Sequence, residues 1–405
     1  MNVNKRIPEL RFEGFTSDWT IETLGELTDV YDGTHQTPFY KESGIMFLSV
    51  ENIKEMTSNK FISIEAFNSN YSVYPQKGDI LMTRIGDIGT ANIVESDDKI
   101  AYYVSLALLK KKALNQYFLK SVIHSEAVWR ELWHRTLHIA FPKKINMNEI
   151  KKVIINYPFD EAEQAAIGSF FRNLDDTIAQ KKQQHEKTLN IKKAMLKKMF
   201  PKKGSVVPEI RFDGFTGDWE YIPLSIIAES TYGGGTPNTS KENYWNGNIP
   251  WIQSADIKEN NVISVDIRKF ITIKGVENSA AKIIPANSIT IVTRVGVGKL
   301  CIIPFAYSTS QDFLSLAQLK TDLFFTVYAI YTKFQAEMNA VQGTSIKGVT
   351  KDELLKKSIY VPKIKDEQIA IGNFFRSLDN LIEAQQQEIE KLQNIKAACL
   401  AKMFV

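Results

Sequence analysis

Two short segments of this 405-residue chain combine a threonine and an arginine with a glycine two residues later. They are Thr83-Arg84-Ile85-Gly86 and Thr293-Arg294-Val295-Gly296, and each follows an apolar, β-rich run. Glycine permits a tight turn that brings the backbone close to a ligand. Arginine can donate two hydrogen bonds to a guanine edge or bind a phosphate. We therefore predict DNA contacts at Thr83, Arg84, Gly86, Thr293, Arg294 and Gly296. The alternative is a structural arginine bonded to a carbonyl at the strand end.

Two polar loops could supply further DNA contacts. The first is Asp32-Gly33-Thr34-His35-Gln36-Thr37-Pro38, and the second is Gly233-Gly234-Gly235-Thr236-Pro237 with the polar residues that follow it. Small polar side chains suit base edges and phosphate oxygens. The predicted contacts are Thr34, His35, Gln36, Thr37, Thr236, Asn238, Thr239, Ser240 and Lys241. Glycine and proline are also common in ordinary turns, so simple turn chemistry is the alternative for both loops.

Motifs for catalysis are incomplete in this sequence. His134 and His138 are four residues apart in a predicted helix, but Arg135 stands where a zinc protease needs glutamate, and no third ligand is evident. The segment Gly296–Lys299 resembles the end of a phosphate-binding P-loop. It fails as one because Thr293 replaces the first glycine and Leu300 replaces the Ser/Thr. We therefore predict a non-catalytic chain with no metal ligands and no cofactor of its own.

Composition is that of an ordinary soluble globular protein. Hydrophobic residues make up 44% of the chain and charged residues 24%, with a net charge of +4. This mild charge permits a nucleic-acid partner without arguing for one. The two cysteines, Cys301 and Cys399, show no pairing logic and fit a reducing cytoplasm. No apolar run reaches the ~18 residues of a membrane span, and the N-terminus lacks the apolar core of a signal peptide. We expect a cytoplasmic protein without a membrane partner.

The elements that must position these residues occur twice. Residues 163–201 align with residues 367–405 at a constant offset of 204 residues, with 22 identities in 39 positions. Residues 7–19 match residues 207–219 at nine of thirteen positions. Repeats of this length indicate two similar halves, each closed by a long helix.

Each half shows the same order of predicted elements. The pairs are strand-like stretches at 23–30 and 222–228, extended segments at 45–55 and 249–259, hairpins at 77–94 and 286–303, strands at 104–109 and 314–319, helices at 116–132 and 324–339, and polar loops at 143–146 and 347–350. This order predicts an α+β chain with two mixed α/β globular domains. The predicted boundaries are 1–158 for the first globular domain, 159–203 for a central helix, 204–361 for the second globular domain and 362–405 for a C-terminal helix.

The two long repeats have the spacing of a coiled-coil seam. Residues at alternating steps of three and four, from Phe171 to Met199 and from Phe375 to Met403, are mostly apolar, more so in the second copy. The stretch from Ile178 to Lys203 carries nine lysines, whereas the second copy places glutamates in the matching region. Opposite charge favours pairing of the two helices with each other. We predict an antiparallel pair with a globular domain near each end and an approximate two-fold axis.

These motifs together resemble the specificity subunit of a Type I restriction-modification system. The resemblance covers essentially the whole chain. It rests on both helix starts of the form EQ-x-x-I-x-x-FF-x-x-LD, the loops GTHQTP and GGGTP, I-P-W-I followed by DIK, and G-D-I-L-M-T-R-I-G. It implies two target-recognition domains, each reading one part of a bipartite sequence in double-stranded DNA. It also implies that the paired helices set the gap between the two parts.

The resemblance further implies partners that carry the chemistry. Two methyltransferase subunits would dock on the chain, and motor-nuclease subunits would join them to cleave unmethylated DNA. S-adenosylmethionine, Mg²⁺ and ATP would belong to those partners. One alternative is a DNA-modifying enzyme, a nuclease or methyltransferase with an unrecognised site. Another is a coiled-coil adaptor without a role on DNA.

Overall fold

The computed structural model describes residues 7–340 and 348–405 and divides the chain into two compact units. The first unit contains residues 1–182 and 388–405, and the second contains residues 183–387. Each unit therefore includes a segment of both long helices. The four predicted domain boundaries stay a prediction, since these units are defined by packing and not by order along the chain.

The first unit combines short strands with helices. Its strands are β1 (Thr20–Thr23), β2 (Asp29–Asp32), β3 (Ile45–Leu48), β4 (Phe61–Ile62), β5 (Ile80–Thr83), β6 (Ala91–Ile93), β7 (Ile100–Tyr102), β8 (Leu106–Lys110) and β9 (Ile154–Tyr157). Its helices are α1 (Leu24–Leu27), α2 (Ile64–Asn70), α3 (Gln116–Ile123), α4 (Glu126–His134), α5 (Met147–Lys151) and the first part of α6 (Glu161–Lys198). The strands form sheets with the orders β2-β8-β5-β6, β4-β3-β7 and β1-β9.

The second unit repeats this plan. Its strands are β10 (Glu220–Pro223), β11 (Ala228–Gly233), β12 (Trp245–Ile252), β13 (Lys269–Ile271), β14 (Ser288–Val292), β15 (Leu300–Ile303), β16 (Ser308–Thr309), β17 (Phe313–Leu319) and β18 (Ser358–Val361). Its helices are α7 (Leu224–Ile227), α8 (Ile273–Glu277), α9 (Leu323–Ala340), α10 (Lys351–Lys356) and the first part of α11 (Lys365–Lys402). The sheet orders are β11-β17-β14-β15, β13-β12-β16 and β10-β18, which match those of the first unit. The predicted hairpins are confirmed as the antiparallel pairs β5/β6 and β14/β15.

The end of one long helix completes the core of the unit that contains the start of the other. In the first unit, Phe404 packs against Trp19, Phe118 and Phe171. In the second unit, Phe200 packs in the same way against Trp219, Phe325 and Phe375. These residues lie in the main buried cluster of their own unit. The repeated C-terminal Met-Phe of each long helix is therefore a core-forming sequence.

Ion pairs show that the helix segments run antiparallel within each unit. In the first unit, Lys181 pairs with Glu388 at 2.8 Å and Asp175 pairs with Lys396 at 2.5 Å. In the second unit, Lys192 pairs with Asp379 at 2.5 Å, and the ring of Phe200 lies 5.8 Å from that of Phe375. As the residue number rises along one helix, the partner's number falls. Every predicted seam position is buried or half-buried, and the predicted fold class is confirmed.

An arginine–carboxylate pair joins the repeated N-terminal segment of each half, residues 7–19 or 207–219 (the arm), to the start of the long helix of that half. Arg11 donates to both carboxylate oxygens of Glu163 at 2.7 Å, and Arg211 does the same to Glu367 at 2.7 and 2.8 Å. Both glutamates are buried. Two parallel N–H···O bonds fix geometry as well as charge. The identities in residues 7–19 and 207–219 thus serve the attachment of the arm.

Five predicted elements, of three kinds, are wrong in detail. The helix predicted over 116–132 is broken after Ile123, since the Ser125 hydroxyl accepts a bond from the Val128 amide and starts α4. The strands predicted over 23–30 and 222–228 each contain the one-turn helix α1 or α7. The extended segments predicted over 45–55 and 249–259 end in 3₁₀ turns at Val50–Asn52 and Ser254–Asp256.

Within residues 7–340 and 348–405, no helix is long and apolar enough to span a bilayer. The same ranges contain no group of three or more His, Cys, Asp or Glu side chains arranged to hold a metal ion. His134 ends α4, and His138 lies beyond it with Nε2 at 2.9 Å from the Trp133 carbonyl oxygen, so the two do not share a helix. Of the predicted polar loop 347–350, Lys347 lies outside the described residues.

Candidate nucleic-acid interface

Arg84 lies inside the first unit. Its Nε donates to the Ile145 carbonyl at 3.2 Å, and Nη1 donates to the Val104 carbonyl at 2.7 Å and to Asp32 Oδ1 at 3.0 Å. The residue is only 6% exposed. A buried guanidinium with carbonyl and carboxylate partners joins the segments that supply them. Arg84 is thus bonded as a structural arginine, which is the alternative to a DNA contact given in the sequence analysis.

Asp32 connects the first predicted loop to this arginine. Its Oδ1 accepts from Arg84, while Oδ2 lies 2.9 Å from Nε2 of His35. Thr34 is held by backbone bonds to Tyr102 and Val104. Gly33 has no room for a side chain, because a Cβ there would lie 2.5 Å from the Tyr103 carbonyl carbon. His35, Gln36 and Thr37 are exposed at the end of a loop whose base is fixed.

The glycine turn of the first unit is held from two sides. The Thr83 hydroxyl accepts from the Thr90 amide at 3.0 Å, which closes the turn between β5 and β6. The Gly86 amide donates to the Lys143 carbonyl at 2.7 Å. Gly86 has a φ of +82°, a conformation in which a larger residue would be strained. Hydrogen bonds of Arg84 and Gly86 therefore connect loop 33–37, through Asp32, with turn 83–89 and segment 143–145.

The second unit presents its arginine differently. The Thr293 amide and hydroxyl both donate to the Asp312 carbonyl, at 2.7 and 2.9 Å, so Thr293 holds the turn in place. Arg294 is exposed, and among the described residues its side chain has no hydrogen-bond or ion-pair partner. Gly296 and Gly298 follow with φ values of +86° and +94°. A free guanidinium on a fixed turn is available for a base edge or a phosphate.

Close backbone packing and two tryptophans fix the second loop. A Cβ on Gly234 would lie 1.9 Å from the Ser310 carbonyl oxygen, so only glycine fits there. The Trp251 indole donates to the Gly235 carbonyl at 2.9 Å, and the Trp245 indole donates to Asn238 O at 3.2 Å. The indole bonds were missed by sequence reasoning, although tryptophan beside the I-P-W-I motif was a usable signal.

All five side chains predicted to contact DNA from this second loop are exposed, and four of them also form hydrogen bonds within the protein. Asn238 Oδ1 accepts from the amide and hydroxyl of Ser240 at 3.0 and 2.7 Å, which is turn chemistry. The Thr236 hydroxyl donates to Gln311 at 2.6 Å. The Lys241 ammonium group donates to the Tyr244 hydroxyl at 3.4 Å. The Gly235 amide bonds to Thr309 and the Thr293 amide to Asp312, so one short segment holds both this loop and the arginine turn.

The segment 137–144 adds apolar side chains to the first unit's surface. Trp129 and Trp133 stack with ring centroids 5.5 Å apart, and the ammonium group of Lys143 lies 4.5 Å from the Trp133 ring centre. Ile139 and Phe141 are fully exposed. Sequence reasoning missed this segment. The close spacing of Leu137, Ile139 and Phe141 just before Lys143 was the signal available.

The family model for the Type I restriction modification DNA specificity domain matches residues 16–190 and 216–394, which is most of the chain. The chain belongs to the Type I restriction-modification DNA specificity family. Each match contains one loop, one arginine turn and most of one long helix. The chain is thus a tandem of two DNA specificity domains, and its role is DNA sequence specificity.

Individual relatives in this family are distant in sequence, and the aligned part ranges from under half to about four fifths of this chain. The putative type I restriction enzyme MjaX specificity subunit of Methanocaldococcus jannaschii is 26% identical over 349 residues, covering 79% of this chain and 76% of that protein. The EcoR124I/EcoR124II specificity subunit of Escherichia coli is 32% identical over 188 residues, 44% of this chain and 46% of that protein. The MjaIX specificity subunit of M. jannaschii is 28% identical over 193 residues, and the aligned part spans 44% of its length.

Solved structures show the same fold. The S subunit of a Type I restriction-modification system from M. genitalium aligns with a TM-score of 0.66 and 13% identity, covering 98% of this chain and 99% of that one. A chain from a structure describing complex assembly and conformational transition of the type I system aligns with a TM-score of 0.53 and 15% identity, over 94% and 96% of the two chains. This specificity-family chain thus shares the full-length fold of S subunits.

Proposed function

We propose that each unit of this specificity-family chain reads one half of a bipartite target in double-stranded DNA. The observation that carries the proposal is one fold presented twice with different exposed side chains. The sheet orders are the same, while the exposed loop residues include His35, Gln36 and Thr37 in one unit and Thr236, Thr239 and Lys241 in the other. The same fold with different contact residues is expected if the two units read two different DNA sequences.

The two arginines have different roles in this proposal. Arg294 contacts DNA from the second unit, since it is exposed and unpartnered among the described residues. Arg84 positions the first unit's loop and turn, since its guanidinium is bonded to Asp32, Val104 and Ile145. The first unit then contacts DNA through Thr34, His35, Gln36, Thr37 and Gly86.

The long helices set the gap between the half-sites and carry partner subunits. Each helix has 38 residues, which at 1.5 Å per residue is roughly 57 Å. Two methyltransferase subunits dock on the chain, and motor-nuclease subunits join them. These partners carry out adenine methylation and ATP-dependent cleavage, and they bind the S-adenosylmethionine, Mg²⁺ and ATP. The complex acts in the cytoplasm. Specificity subunits named among the relatives and the type I assembly structure support this division of labour.

Exchange of one unit's recognition segment tests the proposal. Residues 20–158 are the natural segment, because Thr20 pairs with Tyr157 across β1/β9 and the segment enters and leaves at neighbouring positions. The chain carrying a foreign segment is co-expressed with its methyltransferase subunits, and methylated adenines are mapped across the host genome. We expect one half-site to change while the other half-site and the gap stay the same.

A matched exchange serves as the control. Glu220 pairs with Val361 in the second unit, so exchange of residues 220–361 is expected to change the other half-site only. Retention of both half-sites after either exchange would contradict modular reading. Methylation or cleavage by the purified chain alone, given S-adenosylmethionine, Mg²⁺ and ATP, would favour the enzyme alternative. Absence of any DNA shift with the methyltransferase present would favour a coiled-coil adaptor.

A further inference from the structure

The 137–144 segment of the first unit presents apolar side chains directly to water. Ile139 is 99% exposed and Phe141 is 103% exposed, and Leu137 is partly exposed beside them. Single exposed apolar residues are common on protein surfaces. Two fully exposed large side chains within three residues form a projecting apolar tip, which typically marks a contact surface.

This tip is held in position by its base. The Leu137 amide donates to the Lys144 carbonyl at 2.8 Å, which closes the segment, and the Gly86 amide donates to Lys143 O at 2.7 Å. At its base, the ammonium group of Lys143 lies over the ring of Trp133, which stacks on Trp129. Because the loop is fixed in this way, little conformational entropy remains to be lost when the tip inserts into a partner.

The surroundings of the tip favour a nucleic acid over a protein partner. Lys143 and Lys144 flank it, and neither has an acidic side-chain partner among the described residues. The tip is also continuous with the Gly86 turn, and through Arg84 with the loop that carries His35. Basic residues next to exposed apolar side chains are typical of proteins that insert a wedge between base pairs.

We infer that Ile139 and Phe141 insert between neighbouring base pairs of the half-site read by the first unit and partly unstack them. This inference rests on the proposed function and goes beyond it, since it adds readout of DNA deformability to readout by polar contacts. Pyrimidine–purine steps unstack most easily. The first unit would therefore select a flexible step at a position that no hydrogen bond reads.

The test uses the complex of the full chain with its methyltransferase subunits. Target duplexes carry 2-aminopurine at successive positions of the first half-site, away from the methylated adenine, because this base brightens when it is unstacked. The variant is Ile139→Ser/Phe141→Ser. The matched control is Phe159→Ser, which removes another exposed aromatic side chain between β9 and α6.

We expect the wild-type complex to brighten 2-aminopurine at one step, and the double variant to lose that signal while the control keeps it. The variant should also bind the target about 5- to 150-fold more weakly, the range expected for loss of one aromatic–base contact. Its discrimination at the second half-site should be unchanged.

Three other outcomes would overturn the inference. Discrimination of target from scrambled duplex without brightening at any step contradicts insertion but leaves the proposed function standing. Loss of methyltransferase assembly by the variant, with the brightening kept in whatever complex forms, identifies the tip as a protein-docking surface. Equal binding of target and scrambled duplexes by the wild-type complex contradicts the proposed function, and insertion at a specific half-site with it.

Discussion

Arg84 and Arg294 stand at equivalent places in the two repeats but have different surroundings. Arg84→Ala removes the partner of the buried Ile145 carbonyl, the half-buried Val104 carbonyl and Asp32, so we expect the free energy of unfolding to fall by about 3 kcal/mol. Arg294→Ala removes an exposed side chain and should change stability by less than about 0.5 kcal/mol. Denaturant unfolding of the two variants measures this difference directly. Equal loss of stability would contradict the assignment of Arg84 as the positioning arginine.

The same two variants should differ on DNA. Arg294→Ala is expected to cost about 1–3 kcal/mol of discrimination at one base position of the second half-site. The measurement is competition binding with duplexes substituted one base pair at a time, using the complex with methyltransferase subunits. A loss of affinity that is uniform over all sequences, with a smaller salt dependence, would identify Arg294 as a phosphate contact instead.

His124 makes the stability of the first unit depend on pH. It is half-buried between α3 and α4, and its Nε2 accepts a hydrogen bond from the Ala91 amide at 3.1 Å. Burial lowers the pKa of His124 to about 4, and the ammonium groups of Lys396 and Lys120 act in the same direction, against Asp175 and Asp87. The unfolded chain takes up this proton near pH 6.5, so the folded state loses stability as pH falls from about 6.5 to about 4.

The expected loss over that range is about 3 kcal/mol from this one group. Urea unfolding near pH 7 and near pH 5 should therefore show a smaller pH dependence for His124→Gln than for the wild type. His138→Gln is the control, since His138 is exposed. If His124→Gln keeps the wild-type slope, other groups carry the acid sensitivity and the neutral imidazole does not.

At the scale of the elements, the two long helices form two equivalent Lys–Asp ion pairs, one in each unit, that differ in their exposure to water. Lys192 and Asp379 are buried, and Asp379 also accepts from the Tyr328 hydroxyl at 2.7 Å. Burial raises the pKa of Asp379 although Lys192 opposes this. The equivalent residues of the first unit, Lys396 and Asp175, are 26% and 29% exposed at their side chains. A charge left alone in the buried site is costly, whereas water can solvate one left in the open site.

We therefore expect Lys192→Met to lower the unfolding free energy of the second unit by about 3–5 kcal/mol. Lys396→Met should cost the first unit about 1 kcal/mol or less. The double variant Lys192→Met/Asp379→Leu should recover most of the loss, because no buried charge remains. Hydrogen exchange of peptides from α9 and from the 365–387 part of α11 reports the second unit separately. Equal costs at the two lysines would show that burial does not decide the strength of this pair.

The sequence was sufficient to predict the elements that are long or repeated. It was not sufficient where the hydrogen bonds of a few side chains determine the local structure. The offset of 204 residues and the seam spacing predicted both long helices, and α6 and α11 begin and end within five residues of the predicted bounds 159–203 and 362–405. Capping by Thr23 and Ser125 was invisible to the apolar pattern, so α1 and the break before α4 were missed. The partners of Arg84 lie 20 to 61 residues away along the chain. No local pattern distinguishes such an arginine from the exposed Arg294.

At the scale of the whole molecule, the duplicated helix ends link distant parts of the chain. Met403 and Phe404 lie in the core of the first unit, although most of that unit precedes residue 183. Met199 and Phe200 lie in the core of the second unit. Each unit thus needs residues from both repeats, so neither helix can change length alone without misplacing a core-forming end.

This constraint determines how the proposed spacer role can be tested. Seven residues inserted after Lys182, with seven more inserted after Gln387, preserve the seam period and leave both core-forming ends in place. Seven helical residues add about 10.5 Å, close to three base pairs of DNA. We expect methylation mapping to show both half-sites unchanged and the gap longer by about three base pairs. Insertion in one helix alone should unpair the seam and lower stability. An unchanged gap with both insertions would show that the helices do not set the spacing, and altered half-sites would show that they influence base reading.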